Sequence, residues 1–256
     1  MEANKPAWLE LSTTDPAGAR EFYKKLFGWK IEVSPDPQYG GYALAYTGDK
    51  GVGGIGGKRP GDVSPSNWGI YVGTDSADET AKKVAAAGGT VVMPPFDVPA
   101  QGRMTVFQDP SGAFLSAWQA TAHQGFTAGG EGQFGWAELN ARGFDKVKPF
   151  YKSVFGWDAK TSAATPPGGP PYTEFQIGGD SIAGGLEMLP MVPKEVPSYW
   201  MPYINVSDVD AAFTRAKGAG GREMVAPQDF PGGRFAIVQD PQGAAFGLLK
   251  ALPRSS

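Results

Sequence analysis

The chain has 256 residues, 41% hydrophobic and 19% charged, with a formal net charge of −3 and a pI near 5.3; this is an ordinary globular composition, long enough for two domains. The acidic balance, with no Lys/Arg cluster on any segment, excludes a binder of phosphate backbones, and the absence of cysteine removes disulfides, zinc–thiolate sites and thiol catalysis. No stretch approaches the ~20 apolar residues of a membrane span, and MEANKPAW lacks the features of a signal peptide, so a cytoplasmic location is expected.

In chain order, Trp8 to Thr13 alternates like a half-buried strand, with Trp8, Glu10 and Ser12 on one face and Leu9 and Leu11 on the other. Asp15-Pro16 supplies an N-cap followed by proline at the first helical position. Phe22, Tyr23, Leu26 and Phe27 form an apolar helical stripe, and Gly28 ends it. Short strands are expected at 30–33, 42–46 and 51–57. A second strand and helix follow at 68–72 and 76–87, then strands at 90–93, 103–108 and 113–119, the last two joined by the turn Asp109-Pro110-Ser111-Gly112. The abundance of turn formers (Gly 37, Pro 23) suits this many short strands.

Residues 121–133 form a Gly-rich linker holding the only histidine, His123, expected to be solvated. The pattern then returns. WLELSTTDPAGAREFYKKLFGW returns, gap-free, as WAELNARGFDKVKPFYKSVFGW from Trp136, so that Trp8 matches Trp136, Glu10 matches Glu138 and Trp29 matches Trp157, each 128 residues on. Trp200 answers Trp68, and Asp240 answers Asp109. Pro149 falls inside the first helix of the second copy, which is therefore expected to start late or be distorted. Repeats of this kind define the architecture. The expected class is α+β, with domains at 1–120 and 134–256, each a pair of strand–helix–strand–strand–strand modules.

A strand, then DPxxAxxFYxxLFGW, then a second module ending DPxGAxxx, resembles the vicinal oxygen chelate superfamily, which includes glyoxalases, extradiol dioxygenases and bleomycin-resistance proteins. The resemblance is to its tandem-domain members. It implies paired βαβββ modules whose sheets curl into a cup with helices on the convex side, and enzymes of the family hold a divalent metal in that cup. The ligand positions it implies are occupied here by Trp8, Trp136, Trp68, Trp200, Ser116 and Gly247. An indole N–H only donates and cannot coordinate a metal. Glu187 is a carboxylate on a strand of the second repeat only, and Gly53-Gly54 and Gly184-Gly185 read as close-packed turns rather than phosphate cradles. No cofactor and no metal are expected.

By strand parity, Trp8, Trp68, Phe114, Ser116 and Trp118 line the first cup, and Trp136, Trp200, Gly247 and Leu249 the second. Aromatic walls around few polar groups suit a flat, partly apolar ligand, while tryptophan filling a closed core stands as the alternative for each indole. Glu10 and Glu138 are the candidate catalytic groups, since a carboxylate among indoles is desolvated and can work as an acid or base; pairing with an arginine is the competing reading. Arg103 and Arg234, at matching positions, would serve as that partner or anchor an anionic ligand. Two functions stand open: a metal-independent protein binding a small aromatic or conjugated metabolite, of antibiotic-resistance or sequestration type, and a cofactorless enzyme using Glu10 or Glu138. A metal-dependent glyoxalase or dioxygenase lacks its ligands. The expected partner is a small molecule, not nucleic acid or membrane, and the chain is expected to be a monomer or a homodimer.

Overall fold

The computed structural model describes residues 1–163 and 171–252. The first repeat runs β1 (Pro6–Thr13), α1 (Pro16–Phe27), β2 (Lys30–Val33), β3 (Ala43–Thr47), β4 (Lys50–Gly57), β5 (Asn67–Gly73), α2 (Ala77–Ala86), β6 (Thr90–Val98), β7 (Gly102–Gln108) and β8 (Phe114–Ala120). The second runs β9 (Phe134–Ala141), α3 (Val147–Phe155), β10 (Asp158–Ser162), β11 (Tyr172–Ile177), β12 (Asp180–Glu187), β13 (Tyr199–Asn205), α4 (Val209–Gly218), β14 (Arg222–Phe230), β15 (Gly233–Gln239) and β16 (Ala245–Ala251). Among the described residues the strands make two eight-stranded sheets, ordered β2-β3-β4-β1-β5-β8-β7-β6 and β10-β11-β12-β9-β13-β16-β15-β14. The first strand of a module pairs parallel with its last, as in Glu10 with Gly54 and Tyr71 with Ser116, and the intervening pairs are antiparallel. The expected α+β class, paired βαβββ modules in tandem, is the fold observed.

Local chemistry explains the elements. Asp15 caps α1 by accepting from the Gly18 amide at 2.9 Å, Pro16 opens the helix, and Gly28 closes it at φ +70°. In the second repeat the turn Phe144–Lys146 precedes α3, which begins at Val147, so Pro149 sits in the first helical turn where no backbone bond is lost. The Glu187 carboxylate caps that turn, accepting from the amides of Gly143 at 2.9 Å and Phe144 at 2.7 Å. Strands β6 and β14 run past the prolines at which the sequence suggests a stop. Register shifts between Met93 and Phe96, and between Val225 and Gln228, absorb Pro94, Pro95 and Pro227 as bulges.

Contacts divide the chain into two compact units, and each takes one module from each repeat. One comprises Met1–Trp8, Ile70–Gly125 and Trp136–Met201. Its core is built on Tyr151 of α3, which stacks on Trp157 with ring centroids 5.1 Å apart and accepts from the Trp200 indole at 2.8 Å. Tyr151 donates to Asp109 Oδ2 at 2.6 Å, and the other oxygen of Asp109 accepts from the Ser111 and Ala113 amides of its turn. The Trp157 indole donates to the Asn4 carbonyl at 2.6 Å.

The other unit comprises Leu9–Gly69, Phe126–Gly135 and the chain from Pro202 onward, and it repeats the plan. Tyr23 stacks on Trp29 at 5.5 Å, accepts from the Trp68 indole at 2.9 Å and donates to Asp240 Oδ2 at 3.0 Å. Asp240 Oδ1 accepts from the Gln242 and Ala244 amides. The Trp29 indole donates to the Gly132 carbonyl at 2.8 Å, and Phe22 and Phe246 close the cluster. Burying each of these phenylalanines contributes on the order of 1.5–3 kcal/mol. Burial pushes both tyrosine hydroxyls far above their usual range and raises the Asp240 carboxyl. The FYxxLFGW helix of one repeat is thus bolted to the DPxG turn of the other.

Candidate functional site

The first strand of each repeat splits its side chains between the helix-covered face, where Leu9, Leu11 and Leu139 are fully buried, and the opposite face. On the opposite face of β9 stand Trp136, Glu138 and Asn140, each half-buried. Glu138 lies in register with Gly184 on β12, which in turn faces Glu174 on β11. Tyr172, opening β11, lies across Gly184, where any side chain would collide with its ring. The missing Cβ lets the phenol reach Glu138, donating to Oε2 at 3.1 Å while accepting from the Trp136 indole at 2.8 Å. Asn140 Nδ2 donates to the other carboxylate oxygen at 3.3 Å. A chain of donors therefore runs from indole to phenol to carboxylate. Burial, and then the Glu138 charge, pushes the Tyr172 hydroxyl well above its usual range, and the same two causes raise Tyr199.

The first repeat carries part of the same device. Tyr42 lies across Gly54, which pairs in register with Glu10, and its hydroxyl donates to Glu10 Oε2 at 3.2 Å. Ser12 stands where the second repeat has Asn140. Trp8 is buried, with its ring edge-to-face on His123 at 4.2 Å.

The structure thus brings Trp136 and Glu138 together, and gives both glutamates a tyrosine that the sequence reading passed over. The available signal was a repeat-matched Tyr followed twelve residues later by one glycine of a Gly-Gly pair, in 42/54 and 172/184. Those glycine pairs are not turns. They lie inside β4 and β12, one glycine making room for the tyrosine and its neighbour for the backbone of Leu9 or Leu139.

Other candidates fall elsewhere. Trp68 and Trp200 do not join the face of the glutamates. Tyr71 and Tyr203, at odd spacing from them, pair with Ser116 and Gly247, so both indoles lie on the helix-covered side, bonded to Tyr23 and Tyr151. Arg103 is no partner for a glutamate and no free anion anchor. Its guanidinium bonds Asp78 at 2.7 and 3.0 Å and Asp97 at 2.8 Å, and Arg234 is held in the same way by Asp210 and Asp229. His123 is not a solvated linker residue but packs on two indoles. Ser116, Trp118 and Leu249 are buried, and Phe114 is exposed at the start of β8.

The donor set does not fit the divalent metal that the fold implies. Of the indoles that the resemblance put at ligand positions, Trp68 and Trp200 lie on the helix-covered side, bonded to helix tyrosines, and Trp136 is spent on Tyr172. The space a side chain at Gly247 would need is filled by the Tyr203 ring. Among the described residues no three His, Cys, Asp or Glu side chains converge, whereas a metal of this kind needs several nitrogen or oxygen ligands.

Residues 5–116 and 133–248 each match the family model described as Glyoxalase/Bleomycin resistance protein/Dioxygenase superfamily, and the chain belongs to that family. It is 38% identical over 254 residues to the putative glyoxylase CFP32 of Mycobacterium bovis, covering 97% of this chain and 95% of that one. It is 35% identical over 262 residues to the anthracycline biosynthesis protein DnrV of Streptomyces peucetius, covering 96% and 92%. Among solved structures, the Mn(II)-bound glyoxalase of Novosphingobium aromaticivorans aligns with a TM-score of 0.65 at 17% identity, over 98% of this chain and 84% of that one. The 2,3-dioxygenase LapB of Pseudomonas sp. KL28 aligns with a TM-score of 0.64 at 14% identity, over 98% and 95%. Likeness at that identity concerns the fold. No helix among the described residues is long and apolar enough to cross a membrane.

Proposed function

We propose that the protein is a metal-independent binder of a flat aromatic or conjugated small molecule, working through the face of β9, β11 and β12. The carrying observation is the chain from Trp136 through Tyr172 to Glu138. It offers a half-exposed indole for stacking, beside a phenol and a carboxylate locked in fixed orientation by each other and by Asn140. Such a surface recognises a planar ring bearing a hydroxyl or amine. Metal independence rests on the donor set rather than on any missing ion. The similarity to a protein named for anthracycline biosynthesis supports an aromatic ligand.

A second reading is favoured by the Tyr172–Glu138 hydrogen bond itself. A carboxylate already accepting from a phenol is placed to take a proton from a ligand and pass it on, which would make the protein a cofactorless enzyme with Glu138 as base; Glu10 and Tyr42 offer the same pair in the first repeat.

Titration with an anthraquinone sulfonate, followed by tryptophan fluorescence and by mass analysis of the recovered compound, separates the two. Binding predicts quenching, an unchanged compound, and affinity weakened about 5- to 30-fold in Trp136→Leu, the loss of one aromatic stacking contact and its buried area. Conversion of the compound that disappears in Glu138→Gln, with binding kept, establishes the enzyme instead. Quenching that Trp136→Leu and Glu138→Gln both leave untouched overturns this location of the site.

A further inference from the structure

The two repeats treat their first-strand tryptophans differently. Trp136 is half-buried, with its indole N–H on Tyr172. Trp8 is buried, and what covers it is the Gly-rich segment that joins the repeats. Trp8 and Trp118 both pack on the His123 imidazole, at 4.2 Å and 87° and at 5.7 Å and 66°. The segment is laid down by backbone bonds. The Thr121 and His123 amides donate to the Gln101 carbonyl at 3.0 and 3.2 Å, and the Trp118 indole donates to the His123 carbonyl at 2.9 Å. Gly125 follows at φ +88°, pressed against the Ala7 carbonyl, where no side chain fits.

The imidazole itself is poorly satisfied. Its Nε2 is buried and has no hydrogen-bond partner among the described residues, although buried polar atoms are normally paired. Burial holds its pKa below the usual histidine value, so the ring sits neutral among the indoles. A group placed like this fills space without being anchored by it. The position matching His123 in the second repeat is Arg254, outside the described residues.

We propose that His123 is a displaceable plug over a second, latent aromatic site, whose walls are Trp8 and Trp118. When residues 121–124 lift off Gln101, both indoles and the strand β8 beside them become available to a flat aromatic ligand. The chain's own imidazole is the occupant that such a ligand replaces. This site does not depend on the one around Glu138, and the two are tested separately.

Hydrogen exchange on the unaltered protein gives the first test. The Thr121 and His123 amides should exchange through a local opening, at least tenfold faster than the amides of β1; exchange only at the rate of global unfolding overturns the proposal. The second test uses His123→Ala and His123→Phe with 8-anilinonaphthalene-1-sulfonate as probe. In the alanine variant acrylamide quenching should rise and a probe site should appear that Trp8→Leu removes, while phenylalanine, which refills the space, keeps both at the wild-type level. Indoles as protected in His123→Ala as in wild type, or a new probe site that survives Trp8→Leu, would overturn the plug.

Discussion

The hydroxyl of Tyr23 donates to the carboxylate of Asp240 across 217 residues of sequence, and Tyr151 makes the matching bond to Asp109 across 42. Each phenol also receives an indole N–H, from Trp68 or Trp200. Tyr23→Phe therefore strands a buried donor and a buried acceptor at once. Its cost should be about 1–3 kcal/mol in urea unfolding. Combined with Asp240→Asn it should cost clearly less than the sum of the two single changes, because both remove the same bond.

Asp240 also sets a pH dependence. Burial raises its carboxyl above the ordinary value, against the pull of the turn amides and Tyr23. A carboxyl raised in the folded state stabilises fully below its unfolded value, roughly 3.9, and that contribution is lost as pH rises through the folded value. Unfolding measured from pH 4 to 7 should thus show wild type losing stability relative to Asp240→Asn as pH increases. A difference independent of pH would show that the carboxylate is not desolvated.

Gly184 is the hinge of the candidate site, because its missing side chain is the room Tyr172 occupies. Gly184→Ala should turn the phenol away from Glu138. Its raised hydroxyl would then titrate nearer the ordinary tyrosine range in an alkaline absorbance titration, and affinity for the anthraquinone probe should fall about tenfold. Gly218→Ala serves as control: among the described residues nothing lies within 4 Å of its Cβ position, and it ends helix α4, away from Tyr172 and Glu138 in sequence and without a positive φ.

The donor set makes a prediction about metals too. Dialysis against a strong chelator, followed by Mn(II), Zn(II) or Ni(II) near stoichiometry, should leave the melting temperature within 1 °C or so of its starting value. A site holding metal 100-fold above its Kd would add about 2.7 kcal/mol, which for a chain of this size corresponds to a shift of several degrees.

The fold was legible because the helix motif returns gap-free, and a stripe such as Phe22, Tyr23 and Leu26 marks the face that the helix buries. The site was legible on one strand and obscured on its neighbours. Trp8 shares a face of its strand with Glu10, and Trp136 with Glu138, as alternation dictates. Trp68 went to the other face with Ile70 and Val72, which share its parity and are fully buried, and its assignment to a family ligand position carried no information about phase. Tyr42 and Tyr172 were obscured for a different reason: their partners are set by pairing across two strands, and only the repeated spacing from tyrosine to glycine marks a residue that lies over a glycine. His123 escaped because a Gly-rich stretch predicts mobility, whereas its backbone bonds are made to Gln101, outside the stretch.

The bolts between helix and turn have a consequence for how such a chain changes over time. Duplicated halves are usually free to drift apart, one keeping the old task while the other explores. Here the tyrosine of either half answers to an aspartate in the other, so a change in one copy is tolerated only where its counterpart's counterpart permits. On the faces turned away from the helices the halves have parted: one keeps its indole half-exposed beside a phenol and a carboxylate, the other packs its indole against a histidine of the linker.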